Sequence, residues 1–127
     1  MPEYSVHHIH HEAKDVDVAA RFYVDNFDGQ ITERAAREGG WQAARVLVGG
    51  TLINITDRAE QDVGLRMYRG LDHFGIHTTD FDATVASLRA NGVNFYVEPF
   101  SPKEGVNIAF ISGPDDIKIE VLGIVGS

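Results

Sequence analysis

Hydrophobic and polar positions alternate along Ser5 to Glu12, placing Val6, His8, His10 and Glu12 on one face and His7, Ile9 and His11 on the other. The period then lengthens. Val16, Ala19, Ala20, Tyr23 and Phe27 fall on one stripe of a helix that Asp15 is placed to cap and Asp28-Gly29 to end. Strand-like runs follow at Gln30 to Arg37, Trp41 to Val48 and Thr51 to Thr56, separated by Glu38-Gly39-Gly40 and Gly49-Gly50, both suited to hairpins. The first part of the chain therefore predicts β-α-β-β-β.

The same order recurs. Leu71 to Thr78 alternates, with Leu71, His73, Gly75 and His77 on one face and Phe74 and Ile76 on the other. Asp80 precedes a helical stripe of Phe81, Val85 and Leu88, and Asn91-Gly92 supplies a left-handed stop. Strands are predicted at Val93 to Glu98, Asn107 to Ser112 and Ile117 to Leu122, with Pro99 to Gly105 as a mobile flap. His8, Asp15 and Asp17 in the first copy correspond to His73, Asp80 and Asp82 in the second, at a constant offset of 65 residues. A fixed offset implies two similar supersecondary units: about residues 4–56, a polar connection over 57–70, and about 71–123, in one domain. On both leading strands the ionisable side chains share one face. If the other face packs on the helix, that polar face must look onto something wet or ionic, because burying such groups unpartnered costs kilocalories each.

The chain has 127 residues, a typical domain length, and 43% hydrophobic residues, enough for a real core. Its net charge of −8 argues against nucleic-acid or anionic-membrane partners. The absence of cysteine removes disulfides, thiolate metal sites and cysteine nucleophiles. No signal-like apolar segment and no membrane-length apolar run occurs, so a cytoplasmic location is expected. Neither Gly-Gly pair has the spacing of a phosphate-binding loop, so nucleotide binding is not expected.

Three phrases carry a resemblance. His8 is followed by Asp15 and, two helical turns on, by Phe22-Tyr23; Leu71-Asp72-His73-Phe74-Gly75-Ile76 is followed by Asp80; and Ser112-Gly113-Pro114-Asp115-Asp116-Ile117-Lys118-Ile119-Glu120 closes the chain. Together they resemble the vicinal oxygen chelate superfamily, which includes glyoxalase I, methylmalonyl-CoA epimerase, extradiol dioxygenases, fosfomycin-resistance enzymes and bleomycin-binding proteins. The family's Asp-Pro-Asp-Gly turn is altered here to Gly-Pro-Asp-Asp. The resemblance implies an α+β fold of two repeated βαβββ units forming a curved mixed sheet around a metal-binding cleft, in a homodimer.

It further implies that His8, His73 and Glu120 hold one divalent ion, of Zn, Ni, Fe, Mn or Co. The family's fourth ligand position falls on Asn54, a shorter and neutral side chain expected to hydrogen-bond substrate or a ligand water. Two imidazoles and a carboxylate with open positions suit such metals. A bound ion would stabilise the anion left when a substrate carbon loses its proton to a nearby base. His10, Glu12 and His77 share the ligand faces and are the candidate acids and bases, imidazole being the side chain that ordinarily titrates near neutral pH. His7 and His11 should point away.

Lys118 offers Glu120 an alternative ion-pair partner on the same strand face. Arg45, Arg66 and Arg69 are candidates for a substrate carboxylate or phosphate. Trp41, Tyr68, Tyr96, Phe100 and Phe110 are read as wall and core. The function expected is a metal-dependent glyoxalase- or epimerase-like lyase or isomerase acting on a small molecule with vicinal oxygens. The alternatives are an extradiol-type dioxygenase or a non-enzymatic binding protein. The extradiol enzymes carry a His and a Tyr before the final Glu, whereas here no His follows His77 and Tyr96 is the one Tyr of that half.

Overall fold

The computed structural model describes residues 1–61 and 64–126. Positions 62 and 63 of the expected connection lie outside the described residues. The chain divides into two compact units, the first spanning Met1–Gln61 and the second the remainder.

In the first unit, β1 (His8–Glu12) leads into α1 (Val16–Phe27), then β2 (Gln30–Ala36), β3 (Gln42–Val48) and β4 (Thr51–Thr56). The sheet order is β1-β4-β3-β2, with β1 parallel to β4 and the other pairs antiparallel. Asp15 caps α1 as expected, its carboxylate accepting from the Asp17 and Val18 backbone N–H groups. Val16, Ala19, Ala20 and Tyr23 are buried on the helix stripe, against Ala44, Val46, Ile53 and Ile55. His11, on the helix-facing side of β1, is buried and hydrogen-bonds the Tyr23 hydroxyl at 2.9 Å. His8, His10 and Glu12 remain on the other, exposed face.

The second unit repeats the arrangement with β5 (Phe74–His77), α2 (Phe81–Ala90), β6 (Asn94–Lys103), β7 (Val106–Ser112) and β8 (Lys118–Ile124). Its order is β5-β8-β7-β6, with β5 parallel to β8. The class is thus α+β, with two curved, open, mixed four-stranded sheets and one helix per unit. Ile111, Ile119, Val121 and Leu88 form the buried centre of this unit. No helix among the described residues is long and apolar enough to cross a membrane.

Three expectations change. Residues 99–103 are not a flap: β6 runs on to Lys103 and turns at Glu104-Gly105 into β7. Repeated register shifts between β6 and β7 absorb the two prolines, which lack a donor for regular pairing. Strands β1 and β5 begin three residues later than the alternation suggests, because each is a sheet edge with a single neighbour whose paired stretch sets its length. Tyr68 and Phe100 are exposed and form no part of a core.

The left-handed residue that ends α1 is Asp28 (φ 54°), not Gly29. Gly29 is required for space. A Cβ there would stand 2.7 Å from Val46 Cγ1 and 2.9 Å from the Tyr23 carbonyl oxygen. Gly29→Ala is expected to lower stability by about 1–3 kcal/mol through overpacking. Urea unfolding would check this, and an unchanged midpoint would show that the helix end yields.

Candidate functional site

Each parallel strand pair sets the geometry of its unit. In the first, His8 is paired with Leu52 and His10 with Asn54, so Asn54 lies two residues beyond the partner of His8 on the same face. In the second, Gly75 is paired with Glu120, which places Glu120 the same two residues beyond the level of His73. His8 and Asn54 therefore occupy positions equivalent to His73 and Glu120. His10 stands where the second unit has Gly75.

The second unit brings its donors together. His73 Nε2 lies 3.1 Å from Glu120 Oε1, while His73 Nδ1 donates to Asp72 Oδ2 at 2.8 Å. Asp72 also accepts from Lys118 Nζ at 2.7 Å, and Lys118 makes a further bond to the Arg66 carbonyl at 3.1 Å. Lys118, 7% exposed, therefore pairs with Asp72 rather than with Glu120. Phe110 meets the His73 ring edge-on with centroids 4.9 Å apart, and Tyr96 packs on Phe110 at 5.7 Å.

These contacts set the ionisation of the group. The Asp72 carboxyl is held below its ordinary value, first by Lys118 and then by His73. The His73 imidazolium is favoured above its ordinary value by Asp72, against the opposing effect of partial burial, with Glu120 adding to the effect. Burial, and then the charges of Asp72 and Glu120, push Tyr96 up.

Two donors bound to a first-row divalent ion at about 2.0–2.2 Å stand about 2.8–3.6 Å apart at octahedral or tetrahedral angles. The 3.1 Å between His73 Nε2 and Glu120 Oε1 therefore fits one edge of a coordination shell. It also fits a hydrogen bond, so a proton and a cation would compete for the gap. Among the described residues, no three His, Asp or Glu side chains gather for a metal ion. The second unit supplies two of the three expected donors side by side, and His8 belongs to the first.

In the first unit, His8 Nδ1 lies 2.9 Å from His7 Nδ1, so His7, expected to point away, touches a proposed ligand. Asn54 Oδ1 is buried and has no hydrogen-bond partner among the described residues. Such an atom costs free energy until a donor or cation reaches it. Arg45, paired across β3 with Asn54, lies 3.7 Å from Glu33.

Glu12 is heavily engaged. It accepts from the Thr56 hydroxyl at 2.7 Å, from the backbone N–H groups of Arg58 and Ala59 at 3.0 and 3.3 Å, and from His10 Nε2 at 3.1 Å. Partial burial alone would raise its pKa, but these four donors together hold it below the ordinary value. A carboxylate so stabilised is a poor proton acceptor. His10 Nε2 is also 3.0 Å from Thr56 Oγ1. His77 ends β5, exposed, and Arg69 is exposed.

Asp72 is the member of the His73–Glu120 group that the sequence does not single out, and Lys118, expected beside Glu120, pairs with it instead. Its signal was Lys118 itself, an inward lysine on the face of Glu120 that needs an acceptor.

Glu12 yields a pH-dependent expectation. Its folded pKa lies below its unfolded one, so its stabilisation is complete above the ordinary carboxylate range, about pH 4–4.5. It is lost as pH falls through that range toward the folded value. Glu12→Gln should cost about 1 kcal/mol at pH 7, discounted for partial exposure. Urea titrations should show the gap from wild type closing as pH falls below 4; a pH-independent gap would contradict the assignment.

Comparison with known proteins agrees with the fold. A putative lactoylglutathione lyase of Brassica oleracea var. gemmifera is 28% identical over 120 residues, covering 91% of this chain and 43% of the relative. A lactoylglutathione lyase of Arabidopsis thaliana is also 28% identical over 120 residues, covering 91% and 42%. The chain thus spans less than half the length of these curated relatives. Among solved structures, a glyoxalase family protein from Bacillus cereus superposes with a TM-score of 0.82 at 16% identity, over 99% of this chain and 97% of that one. A fosfomycin resistance protein from Listeria monocytogenes, complexed with Mn(II) and 1S,2S-dihydroxypropylphosphonic acid, superposes with a TM-score of 0.77 at 17% identity, over 99% and 95%. These structures share the fold. The profile of the Glyoxalase/Bleomycin resistance protein/Dioxygenase superfamily matches residues 5–121, and the chain belongs to that superfamily.

Proposed function

We propose that this chain is a divalent-metal-dependent lyase or isomerase of the glyoxalase or epimerase kind, acting on a small molecule that offers two neighbouring oxygens. The observation that carries the reading is the pairing of His73 Nε2 with Glu120 Oε1 at 3.1 Å, with Asp72 fixing the far side of the ring. Support comes from the lactoylglutathione lyases among its relatives and from the Mn(II) held by the structurally similar fosfomycin resistance protein.

In this reading His73 and Glu120 are two ligands, and His8, from the same chain or a second copy in a homodimer, is the third. The ion supplies positive charge that stabilises a developing substrate anion. Asn54 Oδ1, buried without a partner, accepts a substrate or water hydroxyl. His10 moves the proton. Its Nε2 donates to Glu12, which leaves Nδ1 to accept, while Glu12, pinned by Thr56 and two backbone groups, positions the ring. Phe110 and Tyr96 shield the His73 edge from water. Arg45 and Arg69 are candidates for a remote anionic group of the substrate, and His77 is a second acid or base. The dioxygenase alternative draws on the aromatic pair Tyr96 and Phe110 beside His73, which suits a planar ring.

Metal analysis of protein dialysed against Mn(II) should find about one ion per chain, and His73→Ala should remove it. Retained stoichiometric metal in that variant would overturn the ligand assignment. Proton exchange on α-hydroxycarbonyl compounds, without oxygen uptake in the presence of catechols, is the expected activity. Oxygen uptake with a catechol would establish the dioxygenase instead.

A further inference from the structure

Strand register puts four side chains in one row across the first unit. His10 is paired with Asn54, Asn54 with Arg45, and Arg45 with Glu33. Paired residues project from the same face, and on neighbouring antiparallel strands their Cβ atoms stand about 4.5–5.5 Å apart. The opposite face is the one that α1 covers, through Ala44, Val46, Ile53 and Ile55. The row is therefore turned away from the core.

Two members of the row have unused capacity. Asn54 Oδ1 is the one buried side-chain oxygen or nitrogen that lacks a hydrogen-bond partner among the described residues. An acceptor in that state costs free energy, which a donor brought by a ligand would recover. Arg45, beside it, does not supply that donor. Its guanidinium lies 3.7 Å from Glu33, an ion pair too long for a hydrogen bond, and its side chain is about half exposed. The same Glu33 carboxylate also binds Arg37. Two arginines sharing one carboxylate leave a single positive charge in excess. Among the described residues the Arg45 fork makes no hydrogen bond, and such a planar set of N–H donors matches the two oxygens of a carboxylate.

We propose that Arg45 and Asn54 form a recognition pair for a small α-hydroxycarboxylate. The guanidinium takes the carboxylate, and Asn54 Oδ1 accepts the hydrogen of the hydroxyl on the adjacent carbon. One excess positive charge suits a monoanion better than a phosphate dianion. Neighbouring positions in the row suit neighbouring groups on the ligand. His10, the proton-moving group of the reading above, is the next side chain in the row. The pair names a substrate class within that reading and rests on it for the ligand being a substrate; the binding itself draws on no cation.

Nitrogen-15 NMR titration of the full chain, kept metal-free with EDTA, tests the pair through the Asn54 side-chain amide and the Arg45 Nε–H signals. α-Hydroxybutyrate should shift both. Butyrate lacks the hydroxyl, β-hydroxybutyrate carries it one carbon further away, and α-hydroxybutyramide lacks the charge; each should bind about 10-fold more weakly. Asn54→Leu should bind α-hydroxybutyrate and butyrate equally, and Arg45→Met should lose the preference for the acid over the amide. Should either variant fail to fold, the ligand series on wild type decides.

Equal affinity of wild type for α-hydroxybutyrate and butyrate, or α-hydroxybutyrate in large excess shifting neither signal, would overturn the proposal. If that happens while Mn(II) binding is intact, the pair is removed and the lyase or isomerase reading stands. Discrimination for the α-hydroxy acid in a chain that binds no Mn(II) would keep the pair and remove the metal reading.

Discussion

The parallel pairing of the first and last strands within each unit is the constraint on which the candidate site depends. Strands related in this way cannot be joined by a tight turn, so the chain must cross over through a helix and two further strands before it returns. That detour sets the helix against one face of the sheet, while the other face carries His8, His10 and Glu12 in the first unit and His73 and Glu120 in the second. Side chains two residues apart then share that face. In the second unit the result is a histidine at the strand entry with a glutamate beside it, 3.1 Å away. A one-residue slip of β8 against β5 would turn Glu120 into the core and bring Ile119 or Val121 out. Those two apolar side chains are fully buried, which holds the register.

The duplicated scaffold has diverged in a chemically readable way. The second unit keeps an ionic group of Asp72, His73, Lys118 and Glu120, in which every charge has an opposite neighbour. The first has the neutral Asn54 in the equivalent place of Glu120, and adds His10 where the second has Gly75. His10 is linked to Glu12 and Thr56, so the unit with the neutral Asn54 carries an imidazole–carboxylate pair further along its first strand.

Much of this was legible from residues alone. The 65-residue offset, the caps at Asp15 and Asp80 and the stripe of Val16, Ala19, Ala20 and Tyr23 follow from local rules that tertiary structure did not override, and both helices and the order of elements along the chain appear as read. Pro99 to Gly105 reads as a flap because two prolines and a glycine signal a loop, whereas β6 runs on to Lys103 and accommodates both prolines through bulges on an outer strand. The contacts of Asp72 escaped because it precedes the strand proper and its partner Lys118 lies 46 residues away in sequence. Periodicity gives the face of a side chain. It does not say which of two carboxylates a lysine will choose, nor that Glu12 will spend its oxygens on the backbone of Arg58 and Ala59.

The central claim is that His73 and Glu120 form one edge of a cation site. Anomalous diffraction from crystals of the full chain grown with Mn(II) tests it most directly. A single strong peak about 2.0–2.3 Å from both His73 Nε2 and Glu120 Oε1 is expected. A Mn(II) peak bound elsewhere, with the His73–Glu120 hydrogen bond intact, would contradict it.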